Sequence, residues 1–127
     1  MTDVNKEHIS IKVKTQYLAD HPAGRDEKYA FVYFISITNN GPHSVQLLNR
    51  YWLITDGNGK TTEVSGAGVV GEQPHIKPGQ THHYNSGAIL DTPVGSMQGF
   101  YEMQRPDSSL FQAPIPLFSL AVPTLVN

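Results

Sequence analysis

An all-β fold, an antiparallel β-sandwich of roughly seven to nine strands, is predicted by three features of this 127-residue chain. Apolar and polar residues alternate with a period of two in successive short runs. Turn signals interrupt those runs roughly every 8–12 residues. No segment longer than one turn keeps a helical period. The chain has no cysteine, which excludes disulfides and thiolate metal sites. Without a Cys-Trp-Cys spacing, the sandwich reads as fibronectin type III-like rather than as a disulfide immunoglobulin domain. At this length one hydrophobic core buries roughly two-thirds of the unfolded surface, and residues 1–127 are expected to form one domain.

The elements follow in order. Over 8–17, Ile9, Ile11, Val13, Thr15 and Tyr17 share one face and His8, Ser10, Lys12, Lys14 and Gln16 the other, the pattern of a half-buried strand. A polar loop covers 19–28. Tyr29–Thr38 is the second strand; Phe31, Tyr33, Ile35 and Ile37 line one face, while Val32 and Phe34 on the other predict a central strand covered on both sides. Asn39-Asn40-Gly41-Pro42 is a turn. Val45–Thr55 and Lys60–Val64 pair across Asp56-Gly57-Asn58-Gly59, a tight hairpin because Gly and Asn tolerate positive φ. Lys77-Pro78-Gly79-Gln80 predicts a type II turn, followed by a short strand over Thr81–Ser86. Ser96–Gln104 is a further strand, and Leu110–Ala113 and Pro116–Val122 supply two last β segments. The prolines at 114, 116 and 123 are expected to blunt an edge strand.

Composition narrows the function classes. Nine Lys and Arg against 11 Asp and Glu give a net charge of -2. The basic residues, Arg50 among them, are scattered rather than striped, so nucleic-acid binding is not expected. The N-terminus lacks the apolar stretch of a signal peptide, and no apolar run approaches the ~20 residues of a membrane helix. A cytoplasmic location and no membrane contact are expected.

Ser65 to Pro74 contain a perfect G-x-G-x-x-G at Gly66, Gly68 and Gly71. In a dinucleotide-binding fold the third glycine opens a helix that holds a pyrophosphate. Here Pro74 and Pro78-Gly79 follow too closely for a helix, so a glycine-rich β-connection is predicted. Two readings of it stay open. Backbone N–H groups of Gly66–Gly71 could converge on an anion, in which case Gly68→Val should weaken binding without unfolding the chain. Alternatively the glycines permit bulges and positive φ where the chain crosses to the other sheet. Val69 and Val70 are expected to be exposed and to form a docking ridge. The candidate ligand- or partner-binding residues are therefore Gly66, Gly68, Val69, Val70, Gly71 and Glu72.

Other chemistry is sparse. His82 and His83, adjacent on a strand, point to opposite faces, and His75 with either lacks a third ligand. Glu63, Glu72 and Glu102 are isolated, and no nucleophile elbow, zinc motif or reactive cysteine is present. No catalytic residue, metal site or cofactor is expected. The aromatics are expected mainly in the core.

Five blocks in order resemble the bacterial ApaG family: Asn49–Asp56, Glu63–Pro74, Ile76–Gly79, Tyr84–Gly87 and Gly95–Gly99. The resemblance covers essentially the whole chain. It implies a fibronectin type III-like sandwich and a glycine motif once proposed as a pyrophosphate site. It further implies association with dinucleoside polyphosphate metabolism and with cobalt and magnesium handling. Similar eukaryotic domains act as interaction modules. Two functions follow as expectations: a non-enzymatic protein-interaction module, or a binder of a pyrophosphate-containing nucleotide through 66–71. The expected partner is a protein of unknown identity or a phosphorylated small ligand, with the chain a monomer or homodimer.

Overall fold

Burial alternates along the strands as the sequence alternates. The structure, a computed structural model, describes the backbone of residues 3–4 and all of residues 8–123. Among the described residues nine strands form: β1 (Asp3–Val4), β2 (Ile9–Tyr17), β3 (Tyr29–Asn39), β4 (Val45–Asp56), β5 (Thr61–Ala67), β6 (His75–Ile76), β7 (Thr81–Leu90), β8 (Val94–Gln104) and β9 (Leu110–Ala121). They make two sheets. The larger runs β1-β9-β8-β4-β5, with β6 sharing the β5 edge of β4, and the smaller runs β2-β3-β7. All pairings are antiparallel except β1 on β9. The chain is an antiparallel β-sandwich of the fibronectin type III kind.

The core fills the space between the sheets. Phe31, Ile35 and Ile37 of β3 face Leu47, Tyr101 and Met103 of the larger sheet, all buried. Trp52 ties the sheets together, 5.4 Å from Tyr33 across the core and 5.8 Å from Phe118 of β9. Edge-to-face rings of this kind add about 0.5–1.5 kcal/mol per pair beyond their area.

Four sequence expectations need correction. β3 is central in its sheet, but its outer face is covered only at the Ala30 end, and Phe34 is 42% exposed. Among the described residues no sheet packs outside this three-stranded one, so most of that face stays open. The last two β segments are one continuous strand, β9, with an irregularity where Met97 pairs Phe118 and Gly99 pairs Ile115. Strand β7 runs four residues beyond Ser86, paired to β3 as far as Leu90. The crossing between sheets lies at Pro78-Gly79, not at the motif glycines, because β6 still pairs with β4. Gly79 there has φ +80°, and Gln80 N–H closes the turn on Lys77 C=O at 2.9 Å, as a type II turn requires.

Asn39 pins that crossing. It is fully buried, its Nδ2 donates to Ile76 and His43 carbonyls at 2.9 and 2.7 Å, and its Oδ1 accepts from Gly41 N–H. Its carbonyl also accepts from Gly79 N–H at 2.7 Å. The Asn39-Asn40-Gly41-Pro42 turn and the crossing turn are thus one hydrogen-bonded unit. Asn39→Ala strands these buried groups and should lower stability by about 2–4 kcal/mol, read as a lower urea midpoint at unchanged slope.

On the surface, Lys28 Nζ donates to Asp91 Oδ1 at 2.6 Å and ties the β2–β3 connection to the β7–β8 connection. The Lys28 hydrogen bond first, and its charge second, hold the Asp91 carboxyl below the ordinary range. A depressed folded-state pKa contributes stability above the unfolded value of about 3.9 and loses it as pH falls through the folded value. Lys28→Met should therefore denature more easily than the wild type at neutral pH, with the two converging in urea titrations as pH falls through the lowered Asp91 value.

Candidate functional site

The motif glycines build a tight hairpin that stands out between β5 and β6. Its foundation is a bulge in β4: Leu47 pairs Met103 and Asn49 pairs Glu102, leaving Leu48 as the extra residue. The Leu48 carbonyl accepts from Gly68 N–H at 2.7 Å and from Gln73 Nε2 at 3.0 Å, so both feet of the hairpin rest on it. Between them Val69 N–H donates to Glu72 C=O at 2.8 Å, and Glu72 N–H to Val69 C=O at 3.0 Å. Val70 and Gly71, the two central residues, have φ +46° and +78°. Positive φ at both places defines a type I′ turn, the two-residue hairpin turn matched to strand twist.

Each glycine has a separate cause. A Cβ on Gly68 would lie 2.2 Å from the Glu72 carbonyl oxygen, and φ is +65°, so no side chain fits. Gly71 has open space around it and is required only by its positive φ. Gly66 is opposite Arg50 in the β4–β5 register, and a Cβ there would meet Nη1, Cζ and Nη2 at 3.2–3.3 Å. Near-equal distances to these three atoms mean that the guanidinium lies flat on the glycine backbone. Gly68→Val is therefore not the mild probe that the sequence suggests, since it would break the hairpin.

Arg50 is the functional candidate that sequence reasoning missed. It sits two residues before Trp52 and shares its inward face, at the flank where β5 and β7 are the free edges of their sheets. Nη1 donates to the carbonyls of Ala67 and Gly68 at 3.0 and 2.9 Å. No carboxylate among the described residues pairs with it. It lines a pocket of about 340 Å³ with Tyr33, Val69, Val70, Tyr84 and Ser86. The Tyr84 and Tyr101 hydroxyls hydrogen-bond to each other beside this pocket. Burial pushes both phenols up, and the Arg50 charge opposes that shift. The only sequence signal for Arg50 was its strand parity with Trp52, which places a cation on a core-facing row.

The expected site residues divide. Gly66, Gly68, Val69, Val70 and Gly71 are brought together around the hairpin and the pocket. Val69 is buried, not exposed, and fills the core beneath the tip, so a two-valine ridge does not form. Val70 alone projects, at 65% exposure. The Glu72 carboxylate points away from Arg50 toward His82, with Oε2 4.0 Å from Nε2. The N–H groups of Gly68 and Val69 are bonded within the fold, so an anion nest cannot use them. Among the described residues no group of three or more His, Asp or Glu is placed to hold a metal ion.

A β-sandwich whose open flank is closed by a glycine-built hairpin over a cationic pocket is the class of protein this geometry defines. Residues 19–105 match the ApaG domain, DUF525, and the chain belongs to that family. It is 50% identical to Protein ApaG of Erwinia tasmaniensis over 94% of this chain and 95% of that one. Identity to Protein ApaG of Klebsiella pneumoniae is 48%, over 98% and 99%. The crystal structure of an ApaA protein from Bordetella pertussis superposes with a TM-score of 0.86 at 40% identity, covering 91% of this chain and 94% of that one. No helix among the described residues is long and apolar enough to cross a membrane.

The three glycines should respond unequally to alanine. Gly68→Ala should lose about 3 kcal/mol or more, Gly71→Ala about 1–2 kcal/mol, and Gly66→Ala least, because only a side chain must shift. Urea denaturation of the three variants checks this order.

Proposed function

We propose that this chain is a non-enzymatic binding module that docks a protein partner on the hairpin tip and the pocket beside it. One observation carries the reading: Val70, a β-branched residue, occupies the left-handed region at an exposed position. That conformation costs about 1–2 kcal/mol for a residue with a Cβ, and more crowding comes with β-branching. Asn or Gly would sit there without strain, and Asn-Gly is the preferred pair for this turn. The Val70 side chain returns little to the fold, since most of it faces solvent. Strain held at an exposed apolar tip is the signature of a residue that serves something outside the chain.

The carboxylates support the same view. Glu63 accepts from the Tyr51 hydroxyl at 2.6 Å and Glu102 from Asn49 Nδ2 at 2.7 Å. Each is engaged by a neutral neighbour on the outer face of the larger sheet rather than paired with an acid or base partner.

Val70→Asn separates fold from function because the two should move in opposite directions. The variant should melt a few degrees higher, on the order of 1 kcal/mol more stable. In capture experiments from extracts of the source cells it should lose partners that the wild type retains, and Val70→Asp should lose them too. Retention of every partner by both variants removes the tip from the docking surface.

A further inference from the structure

We infer that the Arg50 pocket is a carboxylate site, taking the C-terminal carboxylate or an Asp or Glu side chain of a partner polypeptide. The inference rests on the interaction reading above and specifies the chemistry of that surface.

The guanidinium is fixed before anything binds. Both hydrogens of Nη1 are directed to the Ala67 and Gly68 carbonyls, and the plane is supported by Gly66. The remaining edge, Nε and Nη2, has no partner among the described residues. These two nitrogens present parallel N–H groups with the spacing of a carboxylate's oxygens, the side-on fork that makes arginine selective for this group. A held fork loses little side-chain entropy on binding.

The rest of the pocket matches a monoanion on an apolar chain. Ser86 and Tyr33 line it, and neither hydroxyl has a hydrogen-bond partner among the described residues, so both can donate to a bound oxygen. Val69 and Val70 supply apolar wall. Arg50 is the single cation of the lining, with no Lys or His beside it. A phosphate or pyrophosphate carries more charge than one guanidinium neutralises, and it needs additional N–H donors. The loop has committed those of Gly68 and Val69 elsewhere, which leaves only the N–H groups of Val70 and Gly71 at the turn. A carboxylate needs one fork and one or two hydroxyls, which is what the pocket holds.

The setting favours a polypeptide as the carrier. The pocket opens between β5 and β7, both terminal strands of their sheets. Edge strands offer free backbone groups to an extended chain. The exposed Val70 tip stands at the same mouth, where a residue next to the bound carboxylate would meet it.

The test is an NMR titration of the full chain with four probes. Three are acetylated Gly-Val-Val-Val peptides: the free acid, its C-terminal amide, and the amide with Glu at the third position. The fourth is sodium pyrophosphate. The free acid or the Glu peptide should move the Arg50 Nε–H resonance and the amide signals of Val70 and Ser86, and which one does identifies terminus or side chain as the source. The plain amide should bind at least about tenfold more weakly, as should the matching acid to Arg50→Lys, which keeps the charge and loses the fork. Ser86→Ala, which leaves the hairpin intact, should weaken the acid several-fold. Binding of the plain amide as tight as that of the better of the two carboxylate peptides, no binding of either of those peptides, tighter binding of pyrophosphate, or full affinity in Arg50→Lys each overturns the carboxylate site. Partner capture that survives Arg50→Lys but fails in Val70→Asp overturns this inference and leaves the interaction module standing. Acid binding with capture unchanged by Val70→Asp does the reverse.

Discussion

The carbonyl of Leu48 is the point on which the functional end of this molecule rests. A bulge in β4 turns that oxygen out of the β4–β8 ladder, and it then accepts from both feet of the glycine hairpin. Without the bulge the oxygen would not be free for two donors, and the segment from Gly68 to Gln73 would have no anchor. Everything at the site follows from this anchor. The turn closes on itself, Val69 drops into the core, Val70 is left at the tip, and the Ala67 and Gly68 carbonyls face Arg50.

Arg50 shows how a strand edge can hold a charge on the inner face of a sandwich. A buried guanidinium is unfavourable unless its donors are met. Here one nitrogen is met by backbone carbonyls, and the residue sits at the open flank, where water still reaches the rest. Gly66 makes the approach possible by having no side chain. The pocket therefore combines a fixed cation with ready hydroxyls, an arrangement preorganised for a ligand rather than assembled by one.

Two kinds of strain meet at the hairpin. Gly68 and Gly71 adopt positive φ at no steric cost, and they are structural in the plainest sense. Val70 adopts it at a cost, beside a glycine that could have been one of a pair. The contrast between neighbours in the same turn is what separates residues serving the fold from one serving a partner.

Much of the fold was legible in the sequence, because period-two alternation reports burial directly and Gly, Pro and Asn mark turns by their own backbone preferences. The long strands β2, β3, β4, β5 and β8, the start of β7, the Asp56–Gly59 hairpin, the type II turn at Pro78-Gly79 and the non-Rossmann character of G-x-G-x-x-G were readable there, whereas the two-residue β6 and the last four residues of β7 were not. Which faces are covered was not, as Phe34 shows, since coverage depends on what packs from outside the sheet. Nor was the burial of Val69 or the role of Arg50. Local sequence by itself determined the strands and turns, because those preferences act over a few residues. Only the tertiary structure decided that a bulge at Leu48 would lift the glycine segment into a hairpin and set Arg50 on Gly66, because those contacts join residues some 15 to 25 positions apart, paired by sheet register.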